Sequence, residues 1–154
     1  MDKLVLPHGR NLRYGRFSEA GQAYLVTTDT LGRQVLFPEI AAGRLVVAEF
    51  RKARDEGLAD TLAFVVMPDH VHWLLVLRSG TLGNLVGRVK ARAAKAVNRM
   101  LGRRGAVWQA VFHDHALRTD EDLAGIARYV VANPLRAGLV QRIGDYPLWD
   151  AVWL

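Results

Sequence analysis

Runs of apolar residues bounded by turn-forming residues divide the chain into candidate strands. The segment 23–28 is rich in β-branched and aromatic residues and predicts a first strand. The runs 62–67 and 73–77 are apolar on both faces and flank a tight break that contains a proline. They therefore predict an antiparallel hairpin in the middle of a sheet. The segment 111–118 predicts one more strand.

Three segments have the apolar spacing of amphipathic helices. The first covers 39–56 and the second about 84–101. The third is expected to start from a capping box formed by Thr119 and Asp122, and to end at Pro134, which disfavours helical geometry in the residue before it.

The chain shows no sign of a division into domains. Its 154 residues contain no internal repeat and no linker rich in Pro, Gly or Ser, so we expect one domain over 1–154 with a basic N-terminal arm at 1–20. The absence of Cys excludes disulfides, thiolate zinc sites and a cysteine nucleophile. Without a secretory signal or an apolar stretch of about 18 residues, we expect a cytoplasmic, nucleoid-associated protein.

The main candidate for chemistry is the pair His70 and His72 at the start of the second hairpin strand. Strand side chains alternate with period two, so both imidazoles point to one face and could share a metal ion. They could equally be hydrogen-bonded polar residues near a sheet edge. A second pair, His113 and His115, could supply metal ligands, phosphate contacts or polar strand positions; the intervening Asp114 is typical of an exposed edge.

The charge distribution favours a polyanionic partner. The formal net charge is +6, and the stretch 70–113 contains no Asp or Glu. Four basic residues of the second helix form a ridge that could follow a phosphate backbone or be an ordinary solvated face: Arg88, Arg92, Lys95 and Arg99. The helix itself has no carboxylate beside the ridge, so a counter-ion outside the helix would relieve the repulsion.

Tyr129 and Asn133 lie four residues apart at the border of the apolar face of the third helix, one above the other. Taken alone, they are also compatible with a half-buried aromatic residue and a helix-terminating residue.

Four motifs, in one order and spacing, carry a family resemblance. They are MPDHVHWLL at 67–75, WQ at 108–109, FHDHALR at 112–118 and YVVANPLRAGLV at 129–140. Together they resemble the REP-associated tyrosine transposases, a branch of the single-tyrosine HUH transposases, where HUH means His-hydrophobe-His. The resemblance extends from about residue 24 to the C-terminus, and its last motif is the most specific.

The resemblance implies an α+β domain of ferredoxin-like topology, with helices packed mainly on one face of an antiparallel sheet. It implies action on single-stranded DNA next to short hairpins. By position, His70 and His72 match the metal-binding pair of the family, Tyr129 the nucleophile and Asn133 a third ligand. The wider group often has Gln or Glu at this last position, and a neutral amide oxygen is a poorer ligand than a carboxylate.

The expected reaction is a strand transfer with Mg²⁺ or Mn²⁺ as cofactor. A phenol is a poor nucleophile at neutral pH and a phosphodiester repels anions, which a divalent ion on the phosphate would relieve. Attack by Tyr129 would leave a 5′-phosphotyrosine link and a free 3′-hydroxyl, so the bond energy is kept for rejoining. The resemblance suggests a monomer that acts in cis, with a homodimer as the alternative.

Contacts to hairpin or single-stranded DNA are expected from the basic ridge, the turn after it, the second histidine pair and the N-terminal arm, which could also be a solvated arm. Beyond the ridge, the candidate residues are Arg10, Arg13, Arg16, Arg103, Arg104, His113, His115 and Arg118.

Two other functions remain open. One is a metal-dependent phosphodiesterase in which the strand histidines bind metal and water is the nucleophile. The other is a hairpin-binding protein without catalysis.

Overall fold

The computed structural model describes residues 18–38, 40–118 and 120–153 of the chain. These residues form, in order, β1 (Ala23–Asp29), α1 (Ile40–Asp55), β2 (Ala59–Met67), β3 (His70–Leu77), α2 (Leu82–Leu101), β4 (His113–Leu117), α3 (Leu123–Val131), α4 (Asn133–Arg136) and β5 (Trp149–Ala151). Short 3-10 turns occupy Leu31–Arg33 and Ile143–Asp145. The predicted arm residues Arg10, Arg13 and Arg16 lie outside the described residues.

The strands form one antiparallel sheet with the order β4-β1-β3-β2-β5. The succession β1-α1-β2-β3-α2-β4 in this order is the ferredoxin-like topology, and the predicted α+β class is confirmed. The predicted hairpin is β2-β3, and β3 lies between β1 and β2. Its apolar character on both faces follows from this central place, because helices cover the sheet on both sides.

Helices cover the two faces of the sheet unequally. The long helices α1 and α2 pack on one face, against side chains such as Val71 and Trp73 of β3. The shorter α3 packs on the other face, where its Val130 and Val131 join a core cluster with Leu74. Full burial of such side chains contributes about 1.5–3 kcal/mol each. Because His70 and His72 share the face of Leu74, they lie on the side of the sheet that α3 covers.

The start of α3 differs from the prediction. Asp122 is its N-cap, and its side chain accepts a hydrogen bond from the backbone N–H of Gly125 at 2.9 Å. The helix therefore begins at Leu123, and the predicted capping box is wrong in its assignment of Asp122 to the first turn. Thr119, the predicted cap, lies outside the described residues.

Pro134 does not end the helical region as predicted. The break falls at Ala132, and Pro134 lies in the first turn of α4. Backbone N–H groups of a first turn have no acceptor within the helix, so a proline without an N–H is tolerated there. Gly138, with a φ of +74°, then turns the chain away.

Two further features of the fold bear on the predictions. The short strand β5, which pairs with β2, was not predicted, because three residues carry too little of a period-two pattern.

In the part of the chain that the structure describes, no helix is both long and apolar enough to cross a bilayer.

Candidate active site

The two histidines of β3 form the centre of the site. The ring centroids of His70 and His72 are 5.0 Å apart and the ring planes are nearly perpendicular, at 86°. Both side chains are partly buried. The two imidazoles therefore lie on one face of β3, as predicted from the period-two alternation.

The Nδ1 atom of each histidine ring takes part in a hydrogen bond. His70 Nδ1 donates to Asp69 Oδ1 at 2.7 Å, and His72 Nδ1 is 2.8 Å from the hydroxyl oxygen of Thr27, its neighbour on β1. Such partners orient histidines that bind metals and select their tautomer. The remaining nitrogen, Nε2, is the atom that each ring can offer to a metal ion.

Arg33 extends the hydrogen-bonding around His70. Its guanidinium contacts Asp69 Oδ2 at 3.1 Å and Asp29 Oδ1 at 3.2 Å. Burial raises the pKa of Asp69, but the hydrogen bonds from His70 and Arg33 outweigh this effect and bring the pKa below its ordinary value. Asp69 is therefore a carboxylate that can accept the proton of His70 Nδ1.

The backbone of Arg33 is itself unusual. Its φ of +56° is the one positive value at a non-glycine residue in the described ranges. This conformation costs about 1–2 kcal/mol for a residue with a side chain. The two carboxylate contacts of Arg33 help to offset this cost.

The environment of His72 keeps its ring neutral. Burial lowers the pKa of His72 to about 3, with smaller contributions from the positive charges of His70, Arg136 and Arg33. Metal binding requires an unprotonated imidazole nitrogen, so His72 is in the correct state at neutral pH.

Tyr129 lies on the same side of the sheet as the histidines. Its neighbours Val130 and Val131 pack into the core on that face, and Tyr129 is partly buried at the border. The guanidinium carbon of Arg136 is 3.9 Å from the centroid of the Tyr129 ring. Since the charge of Arg136 also acts on His72, the predicted nucleophile and the histidine pair belong to one region of the molecule.

Asn133 is suited to act as an oxygen ligand. Its side-chain nitrogen donates to the backbone oxygen of Val130 at 2.7 Å, which leaves Oδ1 for another partner. The described part of the chain contains no group of three or more His, Cys, Asp and Glu side chains that could hold a metal. A metal on the histidine pair would therefore need an amide, phosphate or water oxygen.

The second histidine pair shares the face of the first. On the sheet, Thr27 pairs with His113 on one side and with His72 on the other. His115 Nε2 is 3.7 Å from Glu121 Oε1. The predicted edge position is what the sheet shows, because β4 is its outer strand. The Asp114 side chain itself points to the opposite face and is fully buried.

The predicted basic ridge lies on α2, on the other face of the sheet from the histidines. Two of its arginines have a counter-ion within the chain, because Arg88 and Arg92 contact the carboxylate of Glu56 at 2.7 and 3.1 Å. The counter-ion expected outside the helix is thus supplied, in part, by the residue after α1. Lys95 and Arg99 are exposed.

The remaining predicted DNA contacts lie at two other places. Arg103 donates to Asn98 Oδ1 at 2.6 Å and so stabilises the turn after α2, whereas Arg104 is exposed there. Arg118, at the end of β4, contacts Asp120 at 3.3 Å.

Four residues of the site were not identified from the sequence: Thr27, Arg33, Asp69 and Arg136. Asp69 directly precedes the first histidine, and Arg136 lies in the most specific motif, so both carried a signal that could have been used. The contacts of Thr27 and Arg33 depend on the pairing of β1 with β3 and on the turn that follows β1.

Known proteins similar to the chain agree with the predicted resemblance. A Haemophilus influenzae protein, provisionally named a REP-associated tyrosine transposase, is 28% identical over an alignment of 116 residues, and the match covers 66% of the chain and 66% of that protein. The match thus spans just under two thirds of this relative. The REP-associated tyrosine transposase of Escherichia coli K12 is 25% identical over 136 residues, 87% of the chain and 79% of that protein. No family model matches the chain.

Two solved structures share the fold. A REP-associated tyrosine transposase bound to a REP hairpin matches with a TM-score of 0.71 and 23% identity, over 89% of the chain and 81% of that structure. A transposase from Deinococcus radiodurans, so named provisionally, matches with a TM-score of 0.52 and 23% identity, over 77% and 95%.

Proposed function

We propose, from the premise that this chain is a relative of the REP-associated tyrosine transposases, that it cleaves and rejoins single-stranded DNA next to short hairpins. The similarity supports a transposase role. The observation that carries the finer proposal is that the helix with Tyr129 packs on the histidine face of its own sheet. On the opposite face, the ring could not approach a phosphate held at the histidines.

Tyr129 is the proposed nucleophile. Its hydroxyl oxygen attacks the phosphorus in line and the bond from phosphorus to the 3′-oxygen breaks. The phenolic proton passes to water, and water supplies a proton to the leaving 3′-oxygen. The products are a 5′-phosphotyrosine link and a free 3′-hydroxyl. One phosphate ester replaces another, so a second 3′-hydroxyl can reverse the reaction and join a different strand.

The residues fit a divalent cation. His70 and His72 would bind it through Nε2 and Asn133 through Oδ1, with Mg²⁺ or Mn²⁺ as the proposed ions. When bound, the ion would supply a positive charge against a phosphate oxygen. Thr27 and Asp69 hold the two rings in place for this role.

We propose that one chain is sufficient for the reaction. Helix α3 contacts β2 and β5 of its own sheet, so one subunit would supply both the proposed nucleophile and the histidines. This contact supports action in cis by a monomer.

A denaturing gel tests the proposal. The chain is incubated with Mn²⁺ and a labelled oligonucleotide in which a hairpin is followed by single-stranded DNA. We expect a covalent protein–DNA adduct that disappears in Tyr129→Phe and persists in the control Tyr146→Phe, whose hydroxyl contacts the backbone of β2. An adduct of wild-type yield in Tyr129→Phe would exclude Tyr129 as the nucleophile.

The same assay separates the other two functions. The shared face of His113, His115 and the first histidine pair favours a phosphodiesterase as the second candidate. That function gives cleaved product without an adduct, whereas a binding protein without catalysis gives a retained complex and no product at any metal concentration.

A further inference from the structure

We propose that Arg136 binds the phosphate that Tyr129 attacks, through guanidinium N–H groups that reach a non-bridging oxygen. This inference rests on the proposed function, because it requires a DNA strand at Tyr129. No role was assigned to Arg136 from the sequence.

The first observation is the position of Arg136 over the Tyr129 ring, with 3.9 Å between the guanidinium carbon and the ring centroid. A guanidinium over an aromatic face makes a cation–π contact and keeps its N–H groups for other partners. Those donors match two phosphate oxygens in a bidentate arrangement. Because Arg136 is exposed, its donors can be reached from solvent.

The second observation is that the charge of Arg136 is available. In the described ranges, no carboxylate forms an ion pair with it. Other arginines near the two sites do have carboxylate partners: Arg33, Arg88, Arg92, Arg118 and Arg128. An arginine beside a nucleophile and without an internal anion is well placed for an anionic substrate.

The third observation is how the backbone places the side chain. The break at Ala132 starts a new short helix, and Asn133 and Arg136 are the first and last residues of it. The proposed oxygen ligand and the arginine therefore belong to the same helical turn. Residues three apart are neighbours on the surface of a helix, so a phosphate bound beside Asn133 would be next to Arg136.

The alternative is a purely structural role, in which the cation–π contact only orients the ring. Single-turnover cleavage distinguishes the two roles when the substrate carries either a normal phosphate or a neutral methylphosphonate at the scissile position. The variants are Arg136→Gln and Arg136→Lys. The matched control is Arg128→Gln, which removes the same charge next to Tyr129 from a side chain that contacts Asp122.

With the phosphate substrate, we expect Arg136→Gln to slow cleavage about 100-fold, Arg136→Lys to recover part of the rate, and Arg128→Gln to stay within about twofold of wild type. With the methylphosphonate, the ratio of the wild-type rate to the Arg136→Gln rate should fall to about three or less, because the anionic oxygen is gone. An equal ratio on both substrates would overturn the phosphate contact.

A binding measurement separates failure of this inference from failure of the proposed function. In the Tyr129→Phe background, Arg136→Gln should reduce the slope of log K against log salt by about 0.7 for the single-stranded oligonucleotide. An unchanged slope would overturn the inference even if wild type forms the adduct. If wild type forms no adduct, the proposed function fails, and the slope still tests the phosphate contact.

Discussion

At the residue scale, hydrogen bonds alone orient the histidine pair. Asp69 holds His70 and Thr27 holds His72, so each ring has one nitrogen in a hydrogen bond and one available. A site of this kind loses less conformational entropy on binding than two mobile side chains would. The order of the pair thus depends on two residues that are not proposed as metal ligands.

Metal binding should follow this division of roles. We expect Mn²⁺ to raise the Tm of wild type and to have no effect on the Tm of His70→Ala or His72→Ala. Thr27→Val and Asp69→Asn should weaken Mn²⁺ binding about 10- to 100-fold, because the rings lose their orientation. Thermal unfolding across a Mn²⁺ titration measures both effects.

His115→Ala is the comparison variant for that titration. Its imidazole lies on the same face but contacts Glu121, so its removal should leave the Mn²⁺ affinity unchanged. If His115→Ala abolished the Tm shift as His70→Ala does, the metal site would include the second histidine pair.

The neutral state of His72 predicts a pH dependence of stability for the metal-free protein. The pKa is about 3 in the folded state and about 6.5 when unfolded, so the unfolded state binds the extra proton between these values. Stability is therefore present above pH 6.5 and is lost as the pH falls towards 3, by at most about 1.4 kcal/mol per pH unit. Chemical unfolding in EDTA at several pH values measures this slope.

His72→Gln should have a shallower slope over the same range, since glutamine does not titrate. If its slope equalled that of wild type, the acid sensitivity would come from other groups.

At the element scale, the two caps of α2 and α3 offer a matched pair. Thr81 accepts from the backbone N–H of Asn84 at the start of α2, and Asp122 does the same for Gly125 at the start of α3. The two helices lie on opposite faces of the sheet, and α3 carries Tyr129. Loss of either cap should destabilise its own helix, but only loss of the Asp122 cap should also affect the reaction of Tyr129.

We expect Thr81→Ala and Asp122→Ala each to lower the free energy of unfolding by about 1 kcal/mol. Only Asp122→Ala should also slow adduct formation, because fraying of a nine-residue helix moves its tyrosine. Denaturant unfolding and the adduct assay measure the two effects. Equal loss of activity in both variants would mean that global stability, not the position of α3, controls the rate.

At the scale of the whole molecule, the sheet separates the proposed chemistry from the predicted basic ridge. Tyr129 and the histidines lie on one face, and the ridge of α2 lies on the other. A DNA strand that contacts both would have to pass around an edge of the sheet. On the ridge, Glu56 already balances part of the charge of Arg88 and Arg92.

Removal of this internal counter-ion tests whether the ridge binds DNA. Glu56→Gln should raise the affinity for the hairpin oligonucleotide and steepen the slope of log K against log salt by about one unit for each arginine that gains a phosphate. The control Asp55→Asn changes the charge equally but affects Arg54 instead. Salt titrations of binding compare the two.

If Glu56→Gln and Asp55→Asn changed the affinity and the salt slope equally, the effect would come from the net charge alone. The ridge would then contact no phosphate. The ion pairs are at the surface, so their loss should change stability by less than about 1 kcal/mol.

The local pattern of the sequence was sufficient for the four longer strands, for the long helices and for the histidine pair of the site, but not for β5 or for the bounds of α3. Alternation with period two is a property of the extended backbone, so it predicted the hairpin and the shared face of His70 and His72 without any tertiary contact. The charge of Asp114 indicated an edge strand, which β4 is, but the burial of the Asp114 side chain depends on what packs on the opposite face of the sheet. The motif around Tyr129 also pointed to the family in which relatives were found.

The contacts between distant parts of the chain were decided by the tertiary structure alone. The hydrogen bond of Thr27 to His72 joins residues 45 positions apart, and the contact of Glu56 with Arg92 joins residues 36 apart. The stacking of Arg136 on Tyr129 depends on a helix break whose place the proline did not mark correctly. Periodicity in a sequence reports which side of an element is apolar, whereas these partners depend on which elements meet across the sheet, and that is determined only when the core packs.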